Sequence, residues 1–316
     1  MTRASLWETM RAAGIAVRPV AEGQDEPELR REIIGRGGPR VFRGLAESWP
    51  VRAEWTPGRL RRRHGDREVT ALVGLPRSGV LFPREQRQYE RRMALADFLD
   101  LMVSSDAPCY LAYQRSHELL GEAATSVGGL PPPDGHGTDT RLWIGSAGTR
   151  SMLHSDLKDN LFCQLHGTKR VTLLPWRASR AAYPFTGNLV NSRIDLAAPD
   201  LERFPRLRSA PFQGVLMEPG DVLYIPRGCW HDIRSLTPSV SLNHWFGEPQ
   251  RTREYLRLLA LLGPPYWLST ARDFAVHGLL RREERTRFFF SPPSTGRRLY
   301  DALRWRDFSR DNDPST

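Results

Sequence analysis

Short apolar runs separated by turn residues fill the middle of the chain, between residues 141 and 246. The runs are RLWIG, LFCQL, KRVTLLP, GVLMEPGDVLYIP and SVSLNHWF, and Gly, Pro, Asp or Asn residues stand between them. Several short strands at such spacing are typical of an antiparallel sandwich or barrel. We therefore predict a barrel core over residues 109–249, mainly β in class with α additions.

The two flanking sections have a more helical pattern. In the N-terminal section, residues 1–108, helices alternate with short strands, and Thr56 followed by Pro57 predicts the start of a helix. We expect this section to pack on the barrel. The C-terminal section, residues 250–316, contains the helical stretches REYLRLLALLG, TARDFAVHGLLRREER and GRRLYDALRWRDF. Residues 121–140 have the Gly and Pro density of a long loop, a kind of segment that often serves as a lid.

Composition excludes several classes of protein. The chain has 316 residues, of which 40% are hydrophobic and 26% charged, as in an ordinary globular protein. No apolar stretch approaches the roughly 18 to 20 residues that a membrane span needs, and the N-terminus has no signal-peptide pattern. The three cysteines have neither a disulfide framework nor zinc-ligand spacing. We predict a cytoplasmic protein of enzyme size, and exclude a membrane protein, a disulfide scaffold and a zinc ribbon.

The net charge of +10 raises the question of nucleic-acid binding. Basic runs at 59–63, 84–92 and 281–287 would suit phosphates, although several are interleaved with glutamate. Among the 46 basic residues only Lys158 and Lys169 are lysine, a bias typical of GC-rich coding. The two lysines deserve separate examination, because an ammonium and a guanidinium are not interchangeable.

The segment MLHSDLKDNLFCQLHGTKRVTLLP holds the main chemical signal. His154 and Asp156 are two residues apart, so on a strand their side chains lie on the same face. An imidazole and a carboxylate side by side are two ligands for a divalent metal, and a second histidine would complete a facial triad with open positions. His231, directly after the β run in PGDVLYIPRGCWHDI, is the best candidate for this third ligand.

Lys169 is predicted to point into the same barrel. If residues 166 and 167 form a two-residue hairpin turn, Lys169 lies opposite Gln164 and shares the face of Phe162 and Asn160. A buried ammonium needs an anionic partner, since an unpaired charge in the interior is costly. A cosubstrate that bears a carboxylate would supply that partner.

At these residues the chain resembles the JmjC, or cupin-like, Fe(II)- and 2-oxoglutarate-dependent oxygenases, and in particular their small hydroxylase branch. The resemblance runs from about residue 39 to residue 246. It is carried by PRVFRGLAESWP, HSD, DNLFCQLHGTKRVTLLP, LERFP, EPGDVLYIPRGCWHDI and SLNHWF. The fold that it implies is a double-stranded β-helix, the jelly-roll or cupin barrel, flanked by N-terminal helices and a C-terminal helical section.

The resemblance also implies roles for eight residues. The residues that would bind Fe(II) are His154, Asp156 and His231. Those that would hold the distal carboxylate of 2-oxoglutarate are Lys169, Tyr110 and Ser151. Those that would lie near its other carboxylate are Asn160 and Asn243.

The resemblance places Ser151 and Tyr110 in the site, but local spacing does not predict their positions. Strict alternation places Ser151 on the face opposite His154, so a bend before the strand is required. Tyr113 lies near Tyr110 with the opposite polarity and is the alternative tyrosine.

The implied reaction uses O2 and 2-oxoglutarate to hydroxylate a C–H bond, with release of succinate and CO2. A peptide or protein side chain and a small molecule are the favoured substrate classes, and a tRNA base is an alternative. A non-catalytic metal-binding module is the competing class of function. In the branch that the chain resembles, the C-terminal helices often form a homodimer interface, and REYLRLLALLG has an apolar stripe suited to it. Packing of this stripe against the barrel of the same chain is the alternative.

Overall fold

The computed structural model describes residues 5–35, 37–81, 85–121, 139–249, 251–285, 292–306 and 308. Residues 122–138, most of the predicted loop, lie outside the described residues, so its role as a lid stays a prediction. The helices are α1 (Leu6–Ala12), α2 (Glu26–Gly35), α3 (Pro50–Glu54), α4 (Pro57–His64), α5 (Leu95–Ser104), α6 (Ser116–Leu120), α7 (Ser179–Ala182), α8 (Thr252–Leu262), α9 (Pro264–Asp273), continued by a π-helical turn (Phe274–Leu279), and α10 (Thr295–Trp305).

The strands form two sheets. They are β1 (Val17–Pro19), β2 (Ala21–Gly23), β3 (Arg40–Phe42), β4 (Glu68–Val73), β5 (Glu90–Ala94), β6 (Cys109–Arg115), β7 (Asp139–Gly145), β8 (Arg150–Ser155), β9 (Asp159–His166), β10 (Lys169–Leu174), β11 (Pro184–Phe185), β12 (Asn188–Ser192), β13 (Phe212–Met217), β14 (Val222–Ile225), β15 (Trp230–Ser235) and β16 (Ser239–Phe246). The smaller sheet has the order β1-β13-β10-β15-β8-β12-β11, and the larger sheet has the order β2-β3-β14-β9-β16-β7-β6-β4-β5.

The centre of each sheet is built from four strands, and along the chain these eight strands pass back and forth between the two sheets, except that β13 follows β10 in the smaller sheet. β8, β10, β13 and β15 belong to the smaller sheet, whereas β7, β9, β14 and β16 belong to the larger one. All the pairs among them are antiparallel. Two facing four-stranded sheets with this alternation are a double-stranded β-helix, which confirms the predicted fold class.

The sequence pattern explains why the larger sheet is covered on both faces. Along β9, Leu161, Cys163 and Leu165 pack outward into a cluster with the N-terminal helices, while Phe162 packs inward between the sheets. The N-terminal section also adds strands, since β1 pairs with β13 and β3 pairs with β14. As predicted, α4 begins after Thr56, whose hydroxyl accepts a hydrogen bond from the backbone N–H of Arg59.

The predicted hairpin of β9 and β10 is wrong. The turn at 166 and 167 carries the chain from one sheet to the other, because β9 pairs with β14 and β16, whereas β10 pairs with β13 and β15. Gly167 adopts a positive φ of 69°, and a Cβ there would lie 2.1 Å from the carbonyl oxygen of Pro238. The close approach of this second loop, rather than strand pairing, requires the glycine.

Several short strands were not predicted from the sequence. β5 begins within the basic run 84–92, and β11 and β12 form a short antiparallel pair beside β8. In the part of the chain that the structure describes, no helix has the length and apolar character needed to cross a membrane.

Candidate active site

The space between the two sheets is apolar at one end and polar at the other. The apolar end includes Phe162, Val171, Leu173, Val215, Met217, Leu223, Ile225 and Ile233. The polar end is a cleft lined by Tyr110, Tyr113, Trp143, Ser151, His154, Asp156, Phe162, Lys169, His231, Ile233, Asn243 and Trp245. Seven of the eight predicted site residues line this cleft, and Asn160 donates a hydrogen bond to Asp156 within it.

Three potential metal ligands converge in the cleft. His154 is the second-last residue of β8, Asp156 directly follows the strand, and His231 lies opposite His154 on β15. Asp156 Oδ1 is 3.9 Å from His154 Nε2, and Asp156 Oδ2 is 3.5 Å from His231 Nε2. One donor atom from each residue lies within 4.8 Å of the others, as a shared metal ion requires.

Backbone carbonyls orient both imidazole rings. His154 Nδ1 lies 2.6 Å from the carbonyl oxygen of Met152, and His231 Nδ1 lies 3.0 Å from that of Cys229. Each Nδ1–H donates to its carbonyl, so each Nε2 carries a free lone pair towards Asp156. Burial, together with the adjacent His154, lowers the pKa of His231 to about 4. Two imidazoles and one carboxylate are the ligands of a facial triad for Fe(II).

Two neutral donors hold the carboxylate of Asp156. Trp245 Nε1 and Asn160 Nδ2 donate to the same oxygen, Oδ2, at 2.7 and 3.0 Å. Because both hydrogen bonds fall on Oδ2, the lone pairs of Oδ1 are left for a metal ion. Hydrogen bonds of this kind orient metal ligands and tune their affinity.

Lys169 is buried in the same cleft, with 1% of its surface exposed. Its Nζ donates to Ser241 Oγ at 2.6 Å and lies 5.6 Å from the ring centroid of Phe162 and 6.0 Å from that of Tyr110. Within the described ranges Lys169 forms no ion pair, and burial lowers its pKa to about 7. Although the predicted hairpin is wrong, Lys169 still points between the sheets, because it begins β10 on the inward face.

A β-bulge resolves the predicted conflict over Ser151. Across the ladder of β8 and β15, His154 pairs with His231 but Ser151 pairs with Ile233, so three steps on β8 match two on β15. The extra residue turns Ser151 to the same face as His154. There its hydroxyl lies 3.3 Å from the hydroxyl of Tyr110, and burial raises the pKa of Tyr110.

The chain is similar to known proteins at the level of the family. Residues 26–252 match the family model described as a cupin-like domain. The chain belongs to the cupin-like domain family. The match covers more than half of the chain and spans both the barrel and most of the N-terminal section.

Relatives of this cupin-like chain carry Jumonji names among others. It is 28% identical to lysine-specific demethylase 8 of Xenopus tropicalis, over 66% of this chain and 48% of that protein. It is 28% identical to Jumonji C domain-containing protein 5 of Drosophila melanogaster, over 72% and 59%. It is 39% identical to HSPB1-associated protein 1 of Homo sapiens, over 70% and 50%. These findings confirm the JmjC resemblance, and the chain spans about half the length of these relatives.

Three further residues contribute to the cleft and were not predicted from the sequence. Ser241 and Trp245 stand two residues before and after Asn243 on β16, so alternation from Asn243 could have found both. Trp143 pairs with Ser241 from the next strand, β7. Its ring lies 5.8 Å from that of Tyr110 and 6.3 Å from that of Trp245.

Tyr113 lies at the cleft in a second bulge. Between Leu111 and Gln114, β6 has one residue more than β7, and Tyr113 adopts a φ of 59°. Its ring packs 4.5 Å from that of Trp143. Tyr110 and Tyr113 therefore both line the cleft, and the hydroxyl of Tyr110 lies beside that of Ser151.

Proposed function

We propose that this chain is an Fe(II)- and 2-oxoglutarate-dependent oxygenase that hydroxylates a C–H bond of a peptide or protein side chain or of a small molecule. One observation carries the proposal. A His–Asp–His cluster and a buried lysine that forms no ion pair with any described residue share one cleft. A metal ion would bind to the first, and the carboxylate of a cosubstrate would neutralise the second.

Each residue of the candidate active site then has a defined role. His154, Asp156 and His231 would hold the iron. Bound Fe(II) would supply the chemistry by which O2 is reduced with 2-oxoglutarate: one oxygen atom would enter the substrate, and the other would enter the succinate that forms from 2-oxoglutarate with loss of CO2.

The cosubstrate is held at both ends. Lys169 Nζ donates to its distal carboxylate, assisted by the hydroxyls of Ser151 and Tyr110. Asn160 and Asn243 lie on neighbouring strands, β9 and β16, towards its other end. The rings of Trp143, Trp245 and Tyr113 limit the access of water to the reacting groups.

Protein side chains are the first substrate class to test. One of the relatives is lysine-specific demethylase 8 of Xenopus tropicalis, whose name refers to a lysine side chain. The basic runs support RNA binding less strongly than the sequence indicates, because carboxylate side chains form ion pairs with at least one arginine of each run. Arg59 and Arg63 pair with Glu54, Arg61 with Asp100, Arg92 with Glu68 and Arg285 with Glu85.

The test is an anaerobic titration with Fe(II) and 2-oxoglutarate, followed by exposure to air and measurement of succinate. We expect saturable binding of both and slow succinate release without substrate. His231→Ala should abolish metal binding, and Lys169→Ala should abolish 2-oxoglutarate binding. His166→Ala, an exposed histidine at the turn, is the matched control and should behave as wild type. Metal binding without 2-oxoglutarate binding would instead support a non-catalytic metal-binding module.

We further propose that the C-terminal helices form a homodimer. α8, α9 and the following π-helical turn enclose an apolar groove of about 490 Å³ that includes Leu256, Trp267 and Phe274. Leu256 and Trp267 are 51% and 48% exposed, and Leu268 beside them is 72% exposed. Light scattering should give twice the chain mass, and Leu268→Asp should shift it to the monomer. A monomeric wild type contradicts the proposal.

A further inference from the structure

Three arginines form a row on the outer face of the smaller sheet. Arg150 of β8 lies opposite Arg234 of β15, which lies opposite Arg170 of β10. The side chains of Arg150 and Arg234 are 3% and 14% exposed. Like charges directly opposite each other weaken strand pairing, and they do so more where water is excluded. These three residues are called the arginine row.

Asp195 neutralises the first two members of the arginine row. Its Oδ2 lies 3.2 Å from an Nη atom of Arg150, and its Oδ1 lies 3.1 Å from an Nη atom of Arg234. Arg234 has a second carboxylate, Asp232, at 2.8 Å. Within the described part of the chain, Arg150 has no ion pair other than the one with Asp195. Among the described residues, Asp195 is therefore the carboxylate that forms an ion pair with Arg150.

The residue next to Arg150 faces the cleft. Ser151 pairs with Ile233, the neighbour of Arg234, and its hydroxyl contacts that of Tyr110. The bulge between residues 151 and 154 separates this rung from the pair of His154 and His231. The ladder of β8 and β15 thus has a Ser151 end beside the arginine row and a metal end beyond the bulge.

We propose that Asp195 is a positioning residue for the cosubstrate. By bridging Arg150 and Arg234 it holds β8 against β15, and so keeps Ser151 beside Tyr110 at the end of the cleft that holds Lys169. Without the carboxylate of Asp195, the facing charges of Arg150 and Arg234 repel each other and open the ladder at the Ser151 end. The pairing of Ser155 with Trp230 continues to hold the metal end. The inference rests on the proposed function, because Ser151 acts here on 2-oxoglutarate.

The test compares wild type, Asp195→Asn and the double variant Arg150→Met, Asp195→Asn. Mn(II) replaces Fe(II), and titrations measure the Kd of Mn(II) and the Kd of 2-oxoglutarate for the Mn(II)-loaded protein. Asp195→Asn should raise the Kd of 2-oxoglutarate about tenfold through the displaced Ser151. It should change the Kd of Mn(II) by less than about twofold, and the double variant should recover 2-oxoglutarate binding to within about threefold of wild type.

Recovery in the double variant separates positioning from a general loss of stability. A double variant that binds 2-oxoglutarate as weakly as Asp195→Asn overturns the proposal, and so does an Asp195→Asn variant that binds it normally. Equal losses of metal and cosubstrate binding in Asp195→Asn also overturn it.

If Asp195→Asn does not fold, Arg150→Met is compared with the double variant. Both lack the repulsion and should bind 2-oxoglutarate, and a loss confined to the double variant overturns the proposal.

Hydrogen–deuterium exchange separates this inference from the proposed function. In Asp195→Asn the amides of residues 150 and 151 should exchange faster than in wild type, while those of 154 and 155 stay unchanged. This readout needs neither metal nor 2-oxoglutarate. A wild-type protein that binds no 2-oxoglutarate contradicts the proposed function, whereas unchanged exchange at 150 and 151 contradicts the role of Asp195.

Discussion

The two faces of strands β8, β10 and β15 bury ionisable groups in opposite ways. On the outer face, Arg234 is bidentate with Asp232 and shares Asp195 with Arg150. On the inner face, Lys169 forms no ion pair with any described residue, and only a serine hydroxyl accepts from it. The inner carboxylate of Asp156 likewise receives its hydrogen bonds from neutral donors, Asn160 and Trp245.

This difference distinguishes structural charges from functional ones. The carboxylates raise the pKa of Arg234, so its charge is stabilised within the folded chain itself. Burial lowers the pKa of Lys169 to about 7, so its charge is stabilised only when an anion enters. A protein tolerates such an unfavourable group where ligand binding later compensates for it.

Removal of a cation from the outer face should have the largest effect. Arg234→Met leaves Asp232, which is fully buried, without its bidentate partner. We expect a loss of about 3 to 5 kcal/mol in the free energy of unfolding, measured with urea. Arg208→Met, at an exposed arginine, is the control and should change stability by less than about 0.5 kcal/mol. A comparable loss in the control would remove the distinction.

Removal of the cation from the inner face should have the opposite sign. Lys169→Met replaces a buried ammonium by an apolar chain of similar length, and should raise the free energy of unfolding at pH 7 by about 1 to 3 kcal/mol. The same variant should lose 2-oxoglutarate binding. Lys158→Met, at the only other lysine, should show neither effect. Destabilisation by Lys169→Met would mean that an anion of the chain already neutralises it.

The neutral donors to Asp156 can be tested by removal of one of them. Trp245→Phe deletes the indole N–H that donates to Asp156 Oδ2 and keeps an aromatic ring. We expect metal affinity to fall about tenfold, as for other hydrogen bonds to metal ligands, measured by Mn(II) titration. Trp143→Phe is the matched control, because Trp143 Nε1 is buried and has no hydrogen-bond partner among the described residues. Equal effects of the two variants would assign the loss to ring packing.

The pH dependence should isolate the charge of Lys169. Its pKa is about 7 in the folded chain and near 10.5 when unfolded, so above pH 7 the unfolded state binds more protons. Stability attributable to Lys169 should therefore rise with pH, by about 1 kcal/mol between pH 6 and pH 8. The difference between wild type and Lys169→Met, measured by urea unfolding across this range, gives the contribution of Lys169 alone. A difference independent of pH would show that Lys169 stays charged.

Local spacing was enough to predict much of the candidate site. His154 and Asp156 are two residues apart at the end of a strand, and the β run before His231 marks the third residue of the cluster. Asn243 also lies in the cleft, and the same alternation would have reached Ser241 and Trp245. The resemblance, rather than spacing, pointed to Tyr110, Ser151 and Asn243. No local signal marks Asp195, which lies outside the strands and acts through two of them.

The sequence by itself determined the class of the fold and named the three candidate metal ligands, because short β runs and the two-residue spacing of His154 and Asp156 are local patterns. Tertiary structure decided which strands are neighbours. β9 and β10 are adjacent along the chain but lie in different sheets. Both faces of each strand are buried, and the turn at Gly167 packs against the backbone of Pro238. It also decided that Ser151 faces the cleft, because a bulge on β8 exists only relative to the register of β15. Pairing between distant strands is set by packing across the whole barrel, which no local pattern contains.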